Sequence, residues 1–244
     1  MNAPAVSPHA ACLAASRPGD DPRIALILRL VARRHEALPR AARVLVVGCG
    51  RGEECGAIAH LLPDAAVTGL DIENGFRPGG EANVTFLVSD AVALPFRSSH
   101  FDFVYSFHAL EHVTGGAPAA LAEVARVMRP DGAFFVGVPN RSRLVAYIDS
   151  ESTLREKIRW NAKDWQDRMR GRFRNEMGAH AGFSERELRE LLGRHFHDIR
   201  SERCDYFAGK YARAAAFVRG IARAGLGEIL FPCNYYTCRG VRRG

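Results

Sequence analysis

The sequence lacks long apolar runs, and this bounds where the protein is expected to work. None of its 244 residues belongs to an apolar stretch of the roughly 18 residues that are needed to cross a bilayer. The first segment, MNAPAVSPHAACLAASRPGDDP, has neither a basic start nor a long apolar block, so it is not expected to be a secretory signal peptide. These absences predict a soluble cytoplasmic protein with no membrane span and a disordered lead-in over residues 1–21.

The cysteines lack the spacing of the usual zinc and redox motifs. No two of them form a C-x-x-C pair, and thiols in a reducing compartment are expected to stay free. The six are Cys12, Cys49, Cys55, Cys204, Cys233 and Cys238. Cys49 and Cys55 flank a glycine-rich turn, where small free thiols are expected to be buried.

Lysine is also scarce, since only three of the 34 cationic residues are lysines, in a chain of net charge +7. The basic excess is uneven, because residues 141–182 and 203–244 together hold 18 Lys and Arg against 8 Asp and Glu. These cations do not form a compact cluster with interleaved aromatic residues, as proteins that bind single-stranded nucleic acid do. Nucleic acid is therefore not favoured as a partner.

What the sequence does contain is an alternation of short apolar strands and amphipathic helices up to Asn140. Such alternation predicts an α/β fold with a parallel, doubly wound sheet. The strands are expected at RVLVVG, AVTGLDI, NVTFLVSD, FDFVYSF and AFFVGVPN, the last after a turn at RPDG. Beyond Asn140 the pattern predicts a helix from about Ser152 to Arg170, a capping-box helix after Ser184, a basic helix over 207–226 and two further strands.

The stretch VLVVGCGRGEE, residues 44–54, is the first candidate for a binding site. A turn with almost no side chains lets a ligand approach the backbone, and the helix that follows directs free N–H groups and a positive dipole end at that ligand. Asp71, 19 residues beyond Gly52, is expected at the tip of the neighbouring strand, where a carboxylate suits a ribose diol. A purely structural tight turn is the alternative. For Asp90, at the next tip, a contact to an adenine amine and a role as a turn cap are both open.

Residues 43–140 resemble a class I S-adenosylmethionine-dependent methyltransferase of the type-11 kind. The stretches that carry the resemblance are VLVVGCGRGEE, VTGLDIE, VSDAVALPF, FDFVYSFHALEHV and LAEVARVMRPDGAFFVGVPN, in this order and spacing. The resemblance implies a Rossmann-like sheet of seven strands, the last of them antiparallel between two neighbours. It also implies a single domain over residues 22–244, with acceptor-side lid insertions at 141–182 and 205–228.

Carried over position by position, the resemblance implies which residues contact S-adenosylmethionine and its product S-adenosylhomocysteine. The glycine turn would line the methionine part, the second strand tip would hold ribose and adenine, the third would read the adenine edge, and the fourth would lie beside the methionine group. The turn residues are Gly48, Cys49, Gly50 and Gly52, and those at the second strand tip are Asp71 and Ile72. Asp90 and Ala91 lie at the third strand tip, and Ser106 and Phe107 lie at the end of the fourth strand.

Three histidines are candidates for a general base. His108 and His112 follow the fourth strand, and His180 would enter the acceptor side; imidazole suits the task because its pKa is near neutral. The alternative is that the Glu-His pair only orders its loop. Ubiquinone-type O-methyltransferases carry a carboxylate where this chain has His108, which weakens the case for magnesium at His108, Glu111 and His112. No metal site is therefore predicted.

The methyl acceptor is expected to be a small molecule, either neutral or anionic, methylated at oxygen or nitrogen. Arg141, Arg143 and Arg174 are candidates to bind an acceptor carboxylate or phosphate. The alternatives are an RNA methyltransferase and a cofactor-binding partner protein without catalysis. A homodimer is left open.

Overall fold

The computed structural model describes residues 21–34, 38–77, 79–114, 116–146, 152–175 and 180–240. The predicted lead-in over residues 1–21 therefore lies, apart from Asp21, outside the described residues. No helix among the described ranges is long and apolar enough to cross a membrane.

Seven strands form one sheet in the order β3-β2-β1-β4-β5-β7-β6. Strands β1 to β5 run parallel, while β7 lies antiparallel between β5 and β6. The bounds are Arg43–Val47 (β1), Ala66–Asp71 (β2), Val84–Val88 (β3), Phe101–Phe107 (β4), Met128–Pro139 (β5), His197–Ser201 (β6) and Cys233–Arg239 (β7). This confirms the predicted doubly wound sheet and its antiparallel last strand.

Eight α-helices are described around this sheet. Their bounds are Pro22–Arg34 (α1), Glu53–Leu61 (α2), Ala117–Val127 (α3), Leu154–Met169 (α4), Glu185–Gly193 (α5), Arg203–Lys210 (α6), Ala215–Arg223 (α7) and Gly227–Leu230 (α8). Short 3₁₀ turns lie at Leu110–His112 and Ala212–Ala214. Asp21 caps α1, because its Oδ1 accepts from the amides of Arg23 at 2.8 Å and Ile24 at 3.1 Å.

The core has two layers, one on each face of the sheet. Alternate residues of β1 point to opposite faces, so Val44 and Val46 pack with α1 and α2 while Leu45 and Val47 pack with α3. This explains the uninterrupted apolar run, since a strand covered on both faces needs apolar side chains at every position. Each such side chain contributes roughly 1.5–3 kcal/mol when it is fully buried.

The RPDG segment is not the simple turn that its sequence predicts. Phe101 pairs with Met128 and Phe103 with Ala133, so residues 129–132 bulge out within a long β5. The prediction was wrong here because pairing with β4 on both sides of the bulge keeps the segment in the sheet.

Two other local predictions were correct only in part. The basic helix predicted over 207–226 is split into α6, a 3₁₀ turn and α7. Ser184 caps α5 through its Oγ, which accepts from the amide of Glu187 at 3.3 Å. The Glu187 carboxylate, however, lies 2.9 Å from Arg141 Nη1. A tertiary ion pair therefore engages the side chain that the capping box would use.

Candidate functional site

The glycine turn between β1 and α2 is held against two neighbouring loops. The amides of Gly48 and Cys49 both donate to the carbonyl of Leu70, at 2.8 and 3.0 Å, which ties the turn to the tip of β2. Gly48 has φ of +73°, and a Cβ built on it would collide with the Cβ of Ala109 in the loop after β4. Only glycine fits this position, because the backbone conformation and the packing both exclude a side chain.

Asp71, the last residue of β2, points back at the turn. Its Oδ2 accepts from the Gly50 amide at 2.7 Å, and its Oδ1 accepts from the Glu73 amide at 3.2 Å. Gly50 itself has φ of +53°, and a Cβ there would meet no protein atom within 4 Å. The turn thus presents bare backbone to open space, next to a carboxylate.

This open space is a cleft of about 370 Å³ at the carboxyl ends of the parallel strands. In such sheets the ligand site lies beyond these strand ends, at the point where the order of the strands along the sheet reverses. Here that point lies between β1 and β4, because β2 and β3 follow on one side of β1 while β4 and β5 follow on the other. Six of the ten predicted cofactor residues line the cleft: Gly48, Gly50, Asp71, Ile72, Asp90 and Ala91.

Two of the cleft residues have features that bear on their predicted roles. Ile72 is 59% exposed, which is unusual for a large apolar side chain and leaves it free to cover a flat apolar ligand group. The Oδ1 of Asp90 accepts from the Val92 amide at 3.1 Å, so this carboxylate does cap a turn. Its other oxygen makes no described hydrogen bond, and the adenine contact stays a prediction.

The other four predicted residues do not line the cleft. Cys49 and Ser106 are buried, and Gly52 is the N-cap residue of α2, with the Phe86 ring 2.5 Å from where its Cβ would lie. Phe107 stacks on Tyr235, and the Arg23 guanidinium carbon lies 4.9 Å from its ring centroid. The predicted cofactor contacts of these four remain predictions.

His108 lies at the wall of the cleft in a left-handed conformation, with φ of +53°. Its amide donates to the Gly137 carbonyl at 2.8 Å, its Nε2 lies 3.7 Å from Cys233 Sγ, and its Nδ1 lies 3.5 Å from Glu111 Oε1. Burial disfavours the charged ring, but the nearby Cys233 thiol and Glu111 carboxylate outweigh it and raise the pKa of His108 to about 10.

His112 and His180 meet at the other side of this loop. Their ring centroids are 4.6 Å apart and the rings are nearly perpendicular. His112 also lines the cleft, so the pair connects the cleft to the segment that precedes α5. Burial and the neighbouring His112 lower the pKa of His180. The structure thus brings together two predicted base candidates that are 68 positions apart.

Arg143 is not available to an acceptor, contrary to its predicted candidacy. It is buried, and its guanidinium donates to the carbonyls of Asn140, Ala181 and His180 and to Asp164 Oδ2. Arg141 is also engaged, because its Nη1 lies 2.9 Å from Glu187 and its Nη2 donates to the Gly182 carbonyl. Arg174 is exposed.

One ion pair below the glycine turn was missed by sequence reasoning. Arg23 Nη1 lies 2.8 Å from Glu54 Oε1, which joins α1 to the first turn of α2. Burial raises the pKa of Glu54, and the Arg23 charge opposes that shift. The acidic first turn was visible in the sequence, but its partner, 31 residues earlier, was not.

The family model described as "Methyltransferase domain" matches residues 45–136 of this chain. That range begins in β1, ends in β5 and contains every residue predicted to contact the cofactor. The chain carries a class I methyltransferase domain. His180 lies outside the matched range.

Among curated proteins, the methyltransferase domain is similar to two bacterial relatives. One is the fatty-acid O-methyltransferase of Mycolicibacterium smegmatis, 37% identical over 97 residues, which are 38% of this chain and 35% of the relative. Another is the ubiquinone/menaquinone biosynthesis C-methyltransferase of Dinoroseobacter shibae, 35% identical over 108 residues, which are 40% of this chain and 43% of the relative. Each match therefore spans less than half of the relative's length.

Among solved structures, the chain is similar to phosphoethanolamine N-methyltransferase 2 of Haemonchus contortus. That structure contains phosphomonomethylethanolamine and S-adenosylhomocysteine. The TM-score is 0.55 at 15% identity, over 86% of this chain and 52% of that one. At this identity the similarity concerns the fold alone.

Proposed function

We propose that the chain binds S-adenosylmethionine in the cleft and transfers its methyl group to an oxygen or nitrogen of a small acceptor. The observation that carries the proposal is the bare turn at Gly48 and Gly50 facing the Asp71 carboxylate across one cleft. The match to the methyltransferase domain family over residues 45–136 supports it. The names of the two bacterial relatives, one for a fatty acid and one for quinone biosynthesis, favour a small-molecule acceptor.

The residues present fit such a cofactor. The space beside Gly50 would admit the methionine part against the backbone, where the amino end of α2 offers free N–H groups. Asp71 accepts one backbone hydrogen bond at each oxygen, and a carboxylate oxygen has capacity for another, so a ribose diol fits there. Ile72, exposed beside it, would cover the adenine.

The bound sulfonium would supply the activated methyl group, so the chain's own residues need only position the acceptor and exclude water. His108 and His112 line the cleft, and His180 contacts His112, so an acceptor entering from that side would meet imidazole groups. His112 and His180 remain the candidates for accepting an acceptor proton, whereas the raised pKa of His108 disfavours that role for it at neutral pH. Arg143 is excluded from acceptor binding by its internal partners.

Calorimetry with S-adenosylmethionine and S-adenosylhomocysteine tests the cofactor half of this proposal. We expect saturable binding of both; no binding at millimolar cofactor would overturn it. Transfer of a labelled methyl group to panels of hydroxylated, carboxylic and amine compounds tests the acceptor half. Cofactor binding without transfer to any panel would favour the non-catalytic alternative, and labelling of bulk tRNA with salt-dependent binding would favour the RNA alternative.

A further inference from the structure

The loop after β4 and the segment before α5 bring three metal-ligating side chains together. Glu111, His112 and His180 each offer one ligand atom, and these atoms all lie within 4.8 Å of one another. Glu111 and His112 belong to the 3₁₀ turn Leu110–His112, while His180 comes from a distant part of the chain. Sequence reasoning considered His108 as the third ligand, but the tertiary structure groups the pair with His180 instead.

Glu111 is the observation that points to a ligand. Its side chain is completely buried, and neither carboxylate oxygen has a hydrogen-bond partner among the described residues. The nearest imidazole nitrogens are His108 Nδ1 at 3.5 Å and His112 Nε2 at 3.9 Å, both measured to Oε1. A buried carboxylate that makes no hydrogen bond is disfavoured, and neither imidazole hydrogen-bonds to Glu111 among the described residues. A cation bound by Glu111, His112 and His180 would give this carboxylate a direct partner.

The backbone of His180 is held in place by a buried side chain. Arg143 Nη2 donates to the His180 carbonyl at 2.9 Å, and the same nitrogen lies 3.1 Å from Asp164 Oδ2. Arg143 also donates to the Ala181 carbonyl. The ring of His180 therefore projects from a fixed main chain, as a ligand position requires.

We infer that Glu111, His112 and His180 bind a first-row divalent transition metal such as Zn²⁺, with coordination positions left open. Two imidazoles and one carboxylate suit Zn²⁺, Co²⁺ or Fe²⁺, whereas Mg²⁺ and Ca²⁺ prefer sets made only of oxygen atoms. Three protein ligands leave at least one position for water or for another molecule. Because His112 also lines the cleft, that position lies beside the methyltransferase site.

An ion at this place would bind an oxygen of the acceptor and polarise it next to the cofactor. This role rests on the proposed methyl transfer, whereas metal binding by the three side chains does not. The two are therefore tested by different measurements.

The test uses the full chain without an affinity tag, stripped of metal and titrated with Co²⁺. We expect visible d–d absorption that saturates at one Co²⁺ per chain and is displaced by Zn²⁺. Glu111→Gln and His180→Ala should each weaken Co²⁺ binding by at least about tenfold, since loss of even an outer-shell partner weakens metal sites by about 10–100-fold. His180 is exposed, so its variant decides the test should the buried Glu111→Gln change unfold the chain.

His197→Ala is the matched control, because His197 is exposed and lies on the edge strand β6, whereas the cluster follows the central strand β4. It should bind Co²⁺ like the wild type. Absence of saturable absorption, wild-type affinity in the His180→Ala variant, or an intense thiolate-to-cobalt band from the cysteines would overturn the inference. The dissociation constant of S-adenosylmethionine, measured by calorimetry, should be the same in the His180→Ala variant and in the wild type. If the wild type does not bind the cofactor, the proposed function fails, and this result is distinct from a failure of metal binding.

Discussion

The Asp71 carboxylate accepts a hydrogen bond from the Gly50 amide, with 2.7 Å between Oδ2 and N. Asp71 ends β2 and Gly50 lies in the turn after β1, so this bond joins the tips of two adjacent parallel strands. It places a carboxylate beside bare backbone at the mouth of the cleft. The contact therefore has a structural role and, under the proposed function, a binding role.

Asp71→Ala should weaken S-adenosylmethionine binding by more than about tenfold, because a carboxylate hydrogen bond to a hydroxyl contributes about 1.5–3 kcal/mol. Calorimetry measures this directly. Asp64→Ala is the control, since Asp64 is exposed in the turn before β2, at the far end of that strand. An unchanged dissociation constant in the Asp71 variant would contradict the assigned ribose contact.

Gly48→Ala should lower the free energy of unfolding by about 2–4 kcal/mol. The added Cβ would overlap the Cβ of Ala109, and a left-handed φ adds further strain. Denaturant titration gives this value. Gly75→Ala offers a comparison without either penalty, because it has no neighbour within 4 Å and an ordinary φ; its stability should change by less than about 0.5 kcal/mol. Equal effects in the two variants would show that the turn tolerates a side chain.

Arg143→Ala should destabilise the fold by about 3–5 kcal/mol, because it leaves Asp164 and three backbone carbonyls without their buried donor. Thermal unfolding measures the loss. The matched comparison is Arg186→Ala, which removes an exposed ion pair with Glu190 and should change stability by less than about 0.5 kcal/mol. A small effect at Arg143 would mean that its internal contacts do not form.

The carboxylate of Glu123 predicts a pH dependence of stability. Hydrogen bonding from Arg126, and from the Leu94 amide, lowers the pKa of Glu123 in the folded chain. A depressed carboxyl pKa stabilises the fold above the unfolded value of about 4.3, and this contribution is lost as the pH falls through the folded pKa.

Glu123→Gln should therefore be less stable than the wild type by about 1–2 kcal/mol at pH 7, and this difference should shrink below about pH 4. Denaturant titrations of both proteins across this range provide the measurement. A constant difference at all pH values would assign the effect to packing instead of charge.

Local patterns in the sequence were sufficient for the sheet and for most of the cleft. Strand periodicity, the glycine turn and the acidic residue at the next strand tip each span few residues, and parallel strands place successive tips at the same edge. The positions of Gly48, Gly50, Asp71 and Asp90 at one cleft follow from this. The count of seven strands and the insertion of the antiparallel last strand between two neighbours came from the family resemblance, and the structure confirms both.

Contacts between distant segments were decided only by the tertiary structure. His180 contacts His112, Cys233 contacts His108, and Arg143 donates its hydrogen bonds to backbone carbonyls inside the protein. Nothing near these residues in the sequence indicates their partners. Side chains of the same type can serve a ligand, a metal or the fold, and the choice depends on which groups lie nearby after folding. The sequence by itself therefore determined the sheet and the side of the cleft formed by the glycine turn and Asp71. The cluster of Glu111, His112 and His180 depended on packing between remote segments.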